Sequence, residues 1–212
     1  MEGIPDLELC LEKEQSLQAR FWNPGRYQIK DRRGGIFTLE ADSLPVPIPV
    51  DGPWMVHFQK GRGAPDSVRF ETLRSWTESD NPGIRYFSGS AIYEATVAME
   101  DSLFGKAYGF TLDLGGVREI AEITLNGQSL GIDWTPPFRA DVSGILKPGE
   151  NSLTVVVTNL WPNRLIGDQF LPEAGRIAVT NIVKFTKASP LLDSGLLGPV
   201  KILICEKRDV RF

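Results

Sequence analysis

Residues Ser152–Thr158 alternate strictly between two faces. Leu153, Val155 and Val157 share one parity, and Thr154, Val156 and Thr158 share the other. A period of two predicts a half-buried strand, and β-branched side chains suit a pleated surface. The alternation stops in Asn159-Leu-Trp-Pro-Asn-Arg164, because Pro162 has no N–H to give to a ladder. Similar runs recur along the chain. LELCLE (7–12), GPWMVHF (52–58), SVRFETL (67–73), KAYGFTLDLGGV (106–117) and KILICEK (201–207) each predict a strand. In YFSGSAIYEATVAM (86–99), Ala91, Tyr93, Ala95 and Val97 fall on one side.

Turn residues separate these runs. EIAEITLNGQSLGIDW (119–134) predicts a hairpin around Asn126-Gly127, since Asn-Gly supplies the positive φ of a two-residue turn. Asn23-Pro24-Gly25 and Gly34-Gly35 mark two further turns, and Lys147-Pro-Gly-Glu-Asn151 leads into the first strand described above. No segment shows sustained apolar spacing at three and four residues, so no long helix is expected. Seven to nine short strands separated by turns predict an all-β fold, an antiparallel β-sandwich.

Residues 1–50 read as a small N-terminal β segment, too short to build a core of its own. It ends in Ser43-Leu-Pro-Val-Pro-Ile-Pro-Val50, where alternate prolines disfavour both helix and central strand. A boundary is expected there, with the sandwich over 51–212.

Composition narrows the field. Of 212 residues 42% are hydrophobic, enough for one large domain with a packed core. A net charge of −4 with no basic patch argues against nucleic acid as the partner. The longest apolar runs fall short of a membrane span. The first residues, MEGIPDLELC, are acidic and lack an apolar signal core, so the chain reads as cytosolic or as part of a longer secreted polypeptide. Cys10 and Cys205 sit in the first and last strand-like runs. A disulfide would need those strands to be neighbours; otherwise both are thiols packed as small hydrophobes. One His and two Cys do not make a typical zinc site, and no metal or other cofactor is expected.

Three aromatic clusters are candidate binding sites. Trp161 stands beside Asn163, Arg164 and Asp168. A flat apolar ring next to an amide, a guanidinium and a carboxylate can hold a polyol. The same residues can equally form a buried Arg–Asp pair that pins a loop under a sheet edge. Trp76 lies in a loop with Arg74, Asp80, Arg85 and Tyr86, and can either stack on a sugar ring or cap the core. Trp134 has Asp133 and Arg139 nearby and offers the same two roles. His57 alternates with Trp54, Val56 and Phe58, which places it on the solvent face of a strand.

The segments DGPWMVHF, FSGSAIYEATV, LDLGGVREIAEITLNGQSLGIDWTPPFRADVSGILKPGENSLTVVVTNLWPNRLIGD and SGLLGPVKI occur in this order. Together they resemble the sugar-binding-like jelly-roll domain of family 2 glycoside hydrolases. They resemble still more the related domain near the C-terminus of α-L-rhamnosidase-type enzymes of family 106. The resemblance covers roughly Pro45 to the end. It implies a jelly-roll, galactose-binding-like sandwich that serves as an accessory module of a secreted or periplasmic bacterial enzyme. Carbohydrate and the catalytic domain of a longer parent are its implied partners. In such enzymes the catalytic carboxylates sit on a barrel of about 250 residues, for which no strand–helix alternation is present here. No catalytic residue is therefore assigned. The resemblance implies that the Trp161–Asp168 stretch meets sugar or the neighbouring catalytic domain. Galactose-binding-like sandwiches often hold a structural calcium, but no dense oxygen-ligand loop is visible. Two functions follow: carbohydrate binding through loop aromatics, or structural packing on a catalytic domain with a polar loop lent to its active site.

Overall fold

A computed structural model describes residues 4–11, 17–32, 34–181 and 184–210. In chain order the strands are β1 (Leu7–Leu11), β2 (Leu17–Phe21), β3 (Gly25–Lys30), β4 (Ile36–Ala41), β5 (Ile48–Pro49), β6 (Trp54–Phe58), β7 (Ser67–Phe70) and β8 (Ser90–Met99). They continue as β9 (Tyr108–Asp113), β10 (Gly116–Arg118), β11 (Ile120–Leu125), β12 (Gln128–Asp133), β13 (Arg139–Asp141), β14 (Gly149–Thr158), β15 (Gly195–Gly198) and β16 (Lys201–Val210). Two short helices, α1 (Pro82–Arg85) and α2 (Pro162–Asp168), lie between strands. The chain is all-β, with more and shorter strands than the expected seven to nine. Several of the additional strands, β5, β10, β13 and β15, are pieces of two to four residues, too short for alternation to reveal. The run expected to span 7–12 forms β1, and Glu12 lies outside the described residues.

Two antiparallel sheets face each other. One has the order β12-β11-β14-β8-β6-β7. The other has the order β1-β2-β16-β9-β13, with β5 also paired to β16. Inward side chains of both sheets meet in one core. Trp54, Val56, Tyr93, Ile123, Leu153, Val155 and Val157 come from the first sheet, and Phe110, Leu112, Ile202 and Ile204 from the second. The odd-numbered residues of β14 are thus buried, as their parity predicts. The Asn126-Gly127 turn joins β11 to β12 with Leu125 opposite Gln128, and both turn residues have positive φ (53° and 79°).

The N-terminal strands join this frame through β16. Its first half, Lys201–Glu206, pairs with β9, and its second half, Glu206–Val210, pairs with β2. Ladder hydrogen bonds therefore cross the boundary expected at residue 50. A small cluster of Ala19, Phe21 and Ala41 fills the space beside the β3–β4 hairpin. Because β2 lies between β1 and β16, Cys10 and Cys205 are not on adjacent strands, and they form no disulfide. Burial raises the Cys205 thiol pKa. His57 lies on the outer face of β6 and meets Glu94 of β8 at 3.0 Å.

Candidate functional site

The alternation of β14 carries one residue past the strand. Asn159 keeps the inward parity of Val155 and Val157 and is buried. Its amide donates to Phe87 O (2.9 Å) and Ser194 Oγ (3.1 Å), and its oxygen accepts from Gly89 N (3.0 Å). The chain then turns into α2. The stretch read as a loop is a helix because Pro162 sits in the first turn, where its missing N–H costs nothing.

The polar side chains of α2 point inward. Asn163 is buried, donating to Leu192 O (2.6 Å) and Ser194 Oγ (2.9 Å) and accepting from Leu192 N (2.8 Å). Asp168 is buried and accepts from Ile177 N (3.3 Å) and Ala178 N (2.8 Å). Arg164 is 4% exposed, and its Nε lies 3.0 Å from Asp168 Oδ1, off the line a hydrogen bond needs. This is the buried Arg–Asp pair, and it ties α2 to the segment after it. Trp161, in contrast, is 50% exposed, with the Arg62 guanidinium 5.1 Å above its ring. The four residues are neighbours, but they do not converge on one surface.

Arg164 also lines a cleft of about 290 Å³, together with Gly63, Gly83, Tyr86, Gly167 and Phe170. Its Nη1 and Nη2 make no hydrogen bond among the described residues, while Tyr86 and Phe170 stack at 5.7 Å beside them. Gly167 is needed for this closeness. A Cβ there would lie 2.5 Å from Arg164 Nη2 and 2.5 Å from Tyr86 Cβ.

Trp76 is fully buried. It stacks with Tyr93 at 6.5 Å, and its Nε1 donates to Tyr93 Oη at 2.6 Å. Phe58 and Phe87 pack on it edge-on. Its ring therefore has no face for a ligand, and it caps the core. Tyr93 Oη also accepts from Leu196 N (3.1 Å), and burial pushes its pKa well above the ordinary phenol value. Trp134 is 74% exposed. Two residues on, Pro136 and then Pro137 line a cleft of about 510 Å³ with Asp113, Arg139 and Lys201. Asp113 is buried there between Arg139 Nε (3.0 Å) and Gly115 N (2.9 Å). Beside Trp134, burial raises the Asp133 carboxyl pKa. Among the described residues no three His, Cys, Asp or Glu side chains cluster as a metal site requires.

Sequence reading passed over Ser75, Ser88, Asn159 and Ser194, which bind the two candidate regions together. Ser194 N donates to Ser75 Oγ (3.1 Å), Trp76 N donates to Ser194 O (3.0 Å), and Arg164 N donates to Ser88 Oγ (3.3 Å). Only Asn159 had a signal, its parity with Val157.

No protein-family model matches the chain. A Formosa agariphila protein named as a putative β-glucuronidase is 38% identical over 210 residues, covering 88% of this chain and 18% of that protein. The solved structure of a rhamnosidase from Novosphingobium sp. PP1Y superposes with a TM-score of 0.69 at 30% identity. That match covers 91% of this chain and 22% of the rhamnosidase. A β-D-glucuronidase structure from Dictyoglomus thermophilum (TM-score 0.53, 18% identity, 76% of this chain and 28% of that one) shares the fold alone. The chain is thus related to glycoside hydrolases and spans about a fifth of the length of the first two.

Proposed function

We propose that this chain is an accessory β-sandwich module, of the galactose-binding-like kind, within a secreted or periplasmic glycoside hydrolase. It packs against the catalytic domain through the apolar residues that flank α2 and performs no hydrolysis itself. One observation carries this reading: α2 buries Asn163, Arg164 and Asp168, while apolar side chains just before and after it stay exposed. Leu160 (51%) and Trp161 (50%) just before α2, Phe170 (50%) and Leu171 (37%) just after it, and Leu192 (44%) on the segment bonded to it are exposed. Such a grouping marks a contact surface more often than a free one. The relatives' extra length supplies a body to cover it, and their names suggest that the parent acts on glucuronides or rhamnosides.

The test is a double change, Leu160→Glu with Leu192→Glu, in the full polypeptide that carries this chain. Limited proteolysis at the junction should become faster as the module detaches. Unchanged protection would overturn the docking reading.

Carbohydrate binding is the second reading, favoured by Trp134 standing out of the surface near the Asp113–Arg139 cleft. Titrating the indole N–H resonances with L-rhamnose, galactose and plant cell-wall oligosaccharides tests it. A saturable shift of Trp134 supports it, and a flat response removes it.

A further inference from the structure

The cleft at Arg164 has a feature that docking does not use. We infer that it is a binding site for an acidic monosaccharide, with the carboxylate held end-on by Arg164. Arg164 is 4% exposed, yet its two terminal nitrogens have no hydrogen-bond partner among the described residues. Asp168 approaches at Nε, on the side of the guanidinium, and so orients the fork without occupying its end. Two parallel N–H groups at the end of a guanidinium match the two oxygens of a carboxylate. The charge of Asp168 is itself offset by the Ile177 and Ala178 N–H groups.

The surroundings agree on an anion. The chain as a whole carries a net charge of −4, but two further cations stand at this face. The Lys187 ammonium lies 5.3 Å from the Phe170 ring, and Arg62 covers Trp161. They add positive charge near a buried guanidinium that binds strongly only if its partner is desolvated with it.

Size and shape select the rest of the ligand. About 290 Å³ is at the lower end for small-molecule sites and suits one sugar ring rather than a larger ligand. Tyr86 and Phe170 supply the apolar wall against which a pyranose face can lie. The carboxylate requirement comes from Arg164 alone; the choice of a sugar as its body rests on the glycoside hydrolase reading above.

The experiment is a ¹H–¹⁵N titration of this chain with D-glucuronate and D-galacturonate. D-Glucose, D-galactose and acetate serve as controls, all at matched ionic strength. Saturable shifts of the Gly63, Gly83 and Gly167 amides are expected with an acidic sugar and not with its neutral counterpart. Leu171→Trp, which fills the cleft from its half-exposed rim, should abolish them while the rest of the spectrum is retained. Arg62→Gln with Lys187→Gln, both at the surface, should weaken binding about two- to fivefold. Arg164→Lys keeps the charge, loses the fork, and should lose the acidic sugar. No saturable shift, an equal response to neutral sugars, acetate binding as tightly as the uronates, or shifts that survive Leu171→Trp would each overturn the site. Phe170 and Leu171 belong to both surfaces, but the titration uses this chain alone and so leaves docking to the proteolysis experiment at Leu160 and Leu192.

Discussion

Two tryptophans in polar loops, read alike in sequence, are turned in opposite directions by the fold. Around Trp76 the ring goes inward and the charged neighbours stay near the surface. Around Trp161 the ring stays outside and Asn163, Arg164 and Asp168 go inward. The difference lies in what each segment packs against. Trp76 follows β7 at an end of the sandwich, where Phe58, Phe87 and Tyr93 leave a space that an aromatic fills. The α2 segment follows Asn159 onto the Leu192–Ser194 segment, whose backbone and hydroxyl groups need amide partners. An aromatic beside polar residues therefore signals an interface between apolar and polar regions, not which side faces water.

This contrast can be tested by substitution, each change read by chemical denaturation of the chain. Asp168→Ala should have the largest effect, about 5 kcal/mol, because it strands a buried guanidinium and removes the acceptor of two backbone N–H groups. A loss under 1 kcal/mol would show that Arg164 and Asp168 are hydrated and that the polar side of α2 is not an interior. Trp76→Ala should cost about 4 kcal/mol, the cavity expected from a fully buried aromatic. A near-neutral result would return Trp76 to the list of surface candidates.

Tyr93→Phe should cost about 2 kcal/mol, since Trp76 Nε1 and Leu196 N lose their acceptor while the ring remains. It should also change the alkaline limb of stability. The Tyr93 phenol is raised in the folded state by burial, so its contribution is complete below the ordinary value of 10.0 and is lost as pH rises above it. Wild type should therefore lose stability above about pH 10 more steeply than Tyr93→Phe. Parallel pH profiles would show that Tyr93 ionises equally in both states. Trp161→Ala is the smallest change, within about 0.5 kcal/mol, because half of its ring is already in water. A large loss there would make the two tryptophans equivalent and remove the comparison.

Part of this was legible in the residues. The period of two in Leu153, Val155 and Val157 and in Ala91, Tyr93 and Val97 named the buried faces of β14 and β8. Asn126-Gly127 named the β11–β12 turn. These are local facts, set by backbone geometry and side-chain parity. The helix at Pro162–Asp168 was not legible, because an amphipathic helix announces itself through apolar residues on the buried side. Here that side carries Asn163, Arg164 and Asp168, with Ile166 as its one large apolar side chain. The pairing of β16 with both β9 and β2 was equally silent, since ladder partners far apart in sequence leave no local mark.

The sequence by itself determined the class of fold, most of the long strands and the list of chemically able residues. Alternation and turn chemistry act over a few residues and can be read from them. The tertiary structure alone decided which of those residues face water. Burial depends on partners contributed by distant segments: Tyr93 and Phe87 for Trp76, Leu192 and Ser194 for Asn163, and Ile177 and Ala178 for Asp168. Only once those partners were in place did Arg164 emerge with two terminal nitrogens facing a cleft.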